Sequence, residues 1–318
     1  MTNTARTLTE LSQHGIVSDL ARLLAARHWA QGLTLFSRQA ARNMLLGNLR
    51  SRYRGRGMEF EEVRRYQAGD DIRTIDWKVS ARAQGTYTKL FCEERERPCH
   101  ILVDQRRSHY FGSSIQFKSV LAAELAAGIS WAALKGGDRV GGQVIGEYQE
   151  RDSRARRSKQ AVLRFIHDIH ELNQQLAEAT ESQDKKSITR KLSLATSLEE
   201  CRRITRPGTA IFIISDFHDF DQEAAKSLSN LGKHADLTLL QVSDKLEQQL
   251  PSLGNVAISN GERSSKINIS NALTSAYQQD LSQRQNLLIA SATKARALYA
   301  NIDTTQSARQ ALIRLFAS

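Results

Sequence analysis

A chain of 318 residues, 40% hydrophobic and 25% charged, is long enough for two domains or one large domain with an extension, and its balance is that of a soluble globular protein. Three prolines exclude a proline-rich linker, and three cysteines without a C-x-x-C pair argue against a disulfide framework or a zinc site of the usual spacing. A net charge of +11 invites nucleic acid, an anionic surface or an acidic protein, and charge alone does not choose among them.

Residues 1–50 read as helical, with Leu20, Leu23 and Leu24 at helical spacing and Gly32 separating two helices. Arg6, Glu10 and Asp19 interrupt any signal-like stretch, and no apolar run approaches the roughly 20 residues of a membrane helix. The expected location is therefore the cytoplasm, with no membrane partner. Residues 51–97 form a second segment, β-rich, with alternating strands over Met58–Tyr66 and Tyr87–Cys92 and a short element around Trp77 between them.

After Pro98 the rhythm changes, and residues 98–318 read as one domain. Short apolar runs ending in aspartate, His100–Asp104 and Ala210–Asp216, alternate with helices over Ser119–Leu134, Lys159–Leu176, Leu194–Ile204 and Asp221–Leu231. A strand over Arg139–Ile145, another over Asp236–Val242 and a long helix over Ala272–Ala297 complete the pattern. The fold class is α/β, a mostly parallel sheet of Rossmann type flanked by helices. Ligands of such sheets bind at the carboxyl ends of the strands, where Asp104 and Asp216 are delivered.

Between Gly55 and Arg97 the pieces Phe60-Glu61, Arg65-Tyr66, Gly69-Asp70-Asp71-Ile72-Arg73, Ile75-Asp76-Trp77 and Ser80-Ala81-Arg82 occur in order. Together with Gly137-Asp138-Arg139-Val140-Gly141 and Ile214-Ser215-Asp216-Phe217, this pattern resembles the family called domain of unknown function 58. The resemblance implies a fold like the von Willebrand factor A domain with an added small β-rich element. It also implies no enzyme activity, and partnership with MoxR-type AAA+ ATPases in protein maturation or remodelling. Arg65, Tyr66, Asp70, Asp71, Arg73, Asp76, Trp77 and Arg82 would serve as scaffold or interaction surface, with arginine forks on carboxylates and Trp77 as the apolar anchor.

Domains of that type often hold a divalent cation at D-x-S-x-S, with a threonine and a second aspartate from later loops. Here the motif reads Asp104-Gln105-Arg106-Arg107-Ser108, with Asp216 as the second aspartate and the threonine loop near Ser193–Thr196. Arg106 stands where the first serine belongs and offers no acceptor. The site is thus a degenerate metal-ion-dependent adhesion site. The expectation is that Arg106 replaces the cation and pairs with Asp104 and Asp216, so that no cofactor is held; Mg²⁺ on Asp104, Ser108 and Asp216 is the alternative.

Other chemistry is thinly signalled. His167, His170 and Glu171 read as a helix face, and His218, Asp219 and Asp221 as a loop with a helix cap. Neither a G-x-x-x-x-G-K-[ST] loop nor a G-x-S-x-G elbow occurs. The arginine clusters at Arg50–Arg65 and Arg151–Lys159 lack the interleaved aromatics of a single-strand stacking platform. The expected function is a non-catalytic adaptor or co-chaperone for an AAA+ ATPase. The alternative is a nucleic-acid-associated protein, a metal-dependent nuclease using Asp104 and Asp216.

Overall fold

The computed structural model describes residues 15–36, 60–67, 72, 75–82, 85–91, 97–181, 191–250, 254–259 and 264–316. The chain divides into two compact units, a small one of residues 53–96 and a larger one made of everything else.

In the small unit, β1 (Phe60–Arg65) pairs antiparallel with β2 (Tyr87–Phe91), with Arg65 opposite Tyr87 and an irregularity between Phe60 and Glu62. The connection carries a short helix, α2 (Trp77–Arg82). Asp76 begins it by accepting from the backbone N–H of Lys78 at 3.0 Å and of Val79 at 3.1 Å, an aspartate cap. Ser80 Oγ then accepts from the Tyr87 N–H at 2.8 Å, which ties α2 to β2. Trp77 does not anchor this unit: it is 68% exposed, and none of the α2 residues is buried. A six-residue helix held by a cap and a serine bond needs no aromatic plug. Arg65 and Arg82 are exposed and Tyr66 is half-buried, whereas Asp70, Asp71 and Arg73 lie outside the described residues.

The larger unit is built on a six-stranded sheet in the order β10-β7-β6-β3-β4-β5. Its strands are β3 (Pro98–Asp104), β4 (Arg139–Ile145), β5 (Glu150–Arg156), β6 (Ala210–Ser215), β7 (Asp236–Ser243) and β10 (Leu298–Asp303). All neighbours run parallel except β5, which is antiparallel to β4. The apolar runs of β3 and β6 are buried along almost their whole length, as strands covered by helices on both faces must be.

One face carries α3 (Lys118–Lys135), α4 (Lys159–Glu181) and α9 (Ala308–Phe316). Helix α3 is apolar nearly all round and is buried accordingly. The amino-terminal helix α1 (Leu20–Trp29), capped by Asp19, lies against α3 as part of this unit. Its seat is Gly128, where a Cβ would come within 2.4 Å of the Trp29 ring and 2.7 Å of Leu312. The Trp131 indole N–H reaches back to the Leu23 carbonyl at 3.3 Å. The other face carries α5 (Leu194–Ile204), α6 (Gln222–Leu231) and α8 (Asn271–Lys294), packed over Leu198, Phe217, Phe220, Leu228 and Leu237.

Between β7 and α8 the chain inserts a four-residue helix, α7 (Lys245–Gln248), and a hairpin of β8 (Gly254–Ser259) and β9 (Ser264–Ile269). The hairpin, β5, β10 and α9 extend the pattern expected from the sequence. β5 (Glu-Arg-Asp-Ser-Arg-Ala-Arg) has one small apolar residue and is legible only through its ladder with β4.

Candidate functional site

β3 and β6 are parallel neighbours in a register that pairs Val103 with Ile214, so both chains leave the sheet side by side at Asp104 and Ser215. The Ser215 hydroxyl donates to Asp104 Oδ2 at 2.8 Å and accepts from the Phe217 N–H at 3.0 Å. Phe217 is buried with φ at +54°, a left-handed conformation rare for a bulky residue and typical of tightly determined functional turns. Packing edge-on against Phe220, with ring centroids 6.0 Å apart, holds it there. This turn brings the His218 N–H to Asp216 Oδ1 at 3.0 Å.

Asp104 is fully buried, and Arg106 is folded back onto it. Arg106 Nε donates to Oδ1 at 2.9 Å and Nη2 to Oδ2 at 2.7 Å, a bidentate fork, while its backbone N–H also donates to Oδ1 at 3.0 Å. The other edge of the guanidinium meets Asp219, with Nη1 at 2.6 Å from Oδ2 and Nη2 at 2.9 Å from Oδ1. Nη1 also donates to the Leu192 carbonyl at 3.2 Å. All five guanidinium donors are thereby engaged.

Arg106 thus takes the place of a cation at Asp104, but its second carboxylate is Asp219 and not the expected Asp216. The reason is reach: Asp216 is already met from the other side by Lys118, whose Nζ lies 2.9 Å from Asp216 Oδ2 and 2.6 Å from Glu247 Oε1. Lys118 opens α3, where the helix dipole disfavours a cation, and it is 1% exposed. Two carboxylates offset that cost. His109 sits between the two aspartates, 3.6 Å from Asp104 Oδ2 and 3.5 Å from Asp216 Oδ1. Its Nε2 accepts from the Asp216 N–H at 2.8 Å, which places the ring proton on the buried Nδ1.

The charges follow from these contacts. Burial pushes the Asp104 carboxyl up, yet the Arg106 guanidinium forked onto it holds it below the usual carboxylate range. Burial likewise opposes Asp216, and the Lys118 ammonium in contact with it pulls it well below that range. Burial works against the cations too, but Asp104 and Asp219 hold Arg106 charged, and Asp216 and Glu247 raise the Lys118 ammonium above its ordinary value.

The remaining expected residues lie outside this network. Ser108 is half-buried on the 3₁₀ turn Arg107–His109 and takes no part in it. Ser193 caps α5 by accepting from the Thr196 N–H at 3.2 Å. Asp221 caps α6, accepting from the Ala224 N–H at 2.8 Å, which leaves Asp219 for Arg106 and for the Leu194 N–H at 2.9 Å. His167 pairs with Glu171 on an exposed face of α4, and His170 Nδ1 lies 2.9 Å from the Ser18 hydroxyl.

Asp104, His109 and Asp216 offer ligand atoms within 4.8 Å of one another, a spacing a metal ion could use. Their chemistry argues otherwise. Both Asp104 oxygens are bonded to Arg106, His109 Nε2 is taken by a backbone N–H, and Asp216 Oδ2 is held by an ammonium. A divalent ion bound there would lie beside two standing positive charges, so the residues present do not fit one.

Comparison with known proteins gives a family and distant structural likenesses. The family described as "Protein of unknown function DUF58" matches residues 62–286. The uncharacterized proteins Rv1480 of Mycobacterium tuberculosis (strain H37Rv) and Mb1516 of Mycobacterium bovis are each 28% identical over 208 residues. That alignment covers 65% of this chain, and the chain spans 62% of the length of these relatives. Among solved structures, the hypothetical protein BatB from Bacteroides thetaiotaomicron aligns over 69% of this chain and 96% of its own, with 14% identity and a TM-score of 0.40. An aerotolerance-related membrane protein from Bacteroides fragilis aligns over 68% and 96%, with the same identity and TM-score.

Proposed function

The chain belongs to the DUF58 family, and on that premise we propose that it is a non-catalytic adaptor of von Willebrand factor A-like architecture, acting in the cytoplasm on a MoxR-type AAA+ ATPase. The docking region in this reading is the carboxyl edge of the sheet around Asp104, Ser108 and Asp216.

The observation that carries the reading is the closure of that edge by the protein's own cations. A general acid or base needs a proton it can exchange near neutral pH, and a lysine nucleophile needs a free amine. Here Asp104 and Asp216 are held ionised, and Lys118 is held protonated. A site of fixed charges and fixed geometry suits recognition. The partner's class comes from the family resemblance.

The test is capture from the native cytosol with the tagged chain, read by mass spectrometry. The expected result is an AAA+ ATPase whose recovery falls when Ser108 at the rim is changed to Lys. Capture of nucleic acid alone, released by nuclease and by rising salt, would replace this reading with a polyanion-binding one.

A further inference from the structure

Beside Lys118 the sheet edge opens into a cavity of about 470 Å³, within the range that holds a small ligand or a side chain of another protein. Lys118 and Asp216 line it together with Glu247 of α7 and with Tyr277 and Arg284 of α8. We propose that this cavity binds a carboxylate presented by a polypeptide, and that Glu247 is the internal carboxylate it displaces. The inference rests on the reading that this edge receives a partner, and it names the chemistry of the contact.

The charges among the lining residues balance only while Glu247 is in place, two cations (Lys118 and Arg284) against two carboxylates (Asp216 and Glu247). The two acids are not equivalent. The Asp216 side chain is 5% exposed and is bonded to both the Lys118 ammonium and the His218 N–H. The Glu247 side chain is 34% exposed and stands on a helix of four residues. Glu247 is therefore the group that can leave.

Once it does, the buried ammonium at the start of α3 keeps one counter-charge where it had two, and the lining residues carry one more cation than carboxylate. A buried cation in that state is costly, so the vacancy favours another carboxylate over water. Arg284 adds a second point of attachment. It pairs with Asp280 on one side, while its Nη1 faces the His218 ring nitrogen at 3.2 Å, a weaker partner than a carboxylate.

The rest of the lining selects for a polypeptide over a free acid. Asn286 and Asn301 bring carboxamides to the cavity, neutral groups of the kind that pair with a peptide backbone; Asn301 Oδ1 already accepts from the Ser243 hydroxyl at 2.8 Å, which leaves its amide to donate. The Tyr277 hydroxyl, donating to the Glu247 carbonyl at 2.7 Å, keeps α7 in place when the Glu247 side chain swings out.

The experiment titrates the full chain with acetyl-Gly-Glu-Gly-amide, its Gln counterpart and glutarate, by calorimetry and by thermal shift. Glu247→Gln removes the internal competitor and is expected to bind the Glu peptide tenfold or more tighter than the parent, on the scale of close charge pairs. The Gln peptide should not bind, and adding Arg284→Ala to Glu247→Gln should erase the gain. If Glu247→Gln is itself less stable, the Glu peptide should still raise its melting temperature while the Gln peptide does not.

Equal affinity of parent and Glu247→Gln, or of Glu and Gln peptides, would overturn the proposal. Glutarate binding as tightly as the peptide would overturn the polypeptide assignment in favour of a free acid. Peptide binding without capture of an ATPase removes the adaptor reading alone; capture without peptide binding removes this inference alone.

Discussion

Arg106→Met is the sharpest perturbation of the sheet edge. It keeps an unbranched apolar stem and deletes the guanidinium, leaving Asp104 fully buried with Ser215 and a backbone N–H as its remaining hydrogen-bond partners among those named above. Removing one partner of a buried ion pair costs about 3–5 kcal/mol, because the other charge is left uncompensated. The Asp219 half of the pairing adds little, since that carboxylate is 33% exposed and exposed pairs are worth about 0–1 kcal/mol. The expected loss is thus about 3–5 kcal/mol of a total stability of order 5–15 kcal/mol, measured by urea denaturation at pH 7. Asp219→Asn serves as the internal comparison, with an expected loss of about 1 kcal/mol. The Arg106→Met penalty should also shrink as pH falls, because an unpaired buried Asp104 accepts a proton readily. A loss under about 1 kcal/mol with an unchanged denaturant slope would refute the reasoning and show that Asp104 needs no cation.

Three further outcomes follow from particular contacts. Gly128→Ala puts a methyl into the Trp29 ring at 2.4 Å, and overpacking of that kind should cost about 1–3 kcal/mol and shift Trp fluorescence as α1 moves off α3. Burial lowers the His100 imidazole to about 4, so between pH 6.5 and 4 the unfolded chain binds a proton that the folded one refuses. Stability from this group is complete above pH 6.5 and falls by up to about 3 kcal/mol as pH drops to 4; His100→Leu should flatten that slope, and loss from the depressed Asp104 and Asp216 follows below about pH 3.8. Trp77→Ala, at an exposed position, should change unfolding free energy by less than about 0.5 kcal/mol, and a larger loss would restore Trp77 as an anchor.

The sheet was legible in the sequence where its strands are apolar on both faces. His100–Asp104 and Ala210–Asp216 announce buried parallel strands and place two aspartates at one edge, because a parallel strand must be hydrophobic throughout. β5 escaped because an edge strand paired on one side carries charges, and β10 escaped because Leu298–Asp303 follows α8 after a three-residue turn. At the site, Arg106 was legible since it interrupts a recognisable pattern two residues from its partner. Asp219 and Lys118 were not, being brought in from 113 and 98 residues away by loops whose course no local rule specifies. One signal existed for Lys118: a lysine heading a helix that is otherwise apolar nearly all round needs an acid partner somewhere in the fold.

The central claim is that this sheet edge is neutralised by Arg106 and Lys118 and not by a metal ion. Isothermal calorimetry of the chelator-treated full chain with millimolar magnesium or manganese tests it most directly. No binding heat and no rise in melting temperature are expected, for the parent and for Arg106→Ser alike, because Lys118 remains on Asp216. Stoichiometric binding of either ion to the parent, abolished by Asp104→Asn, would contradict the claim.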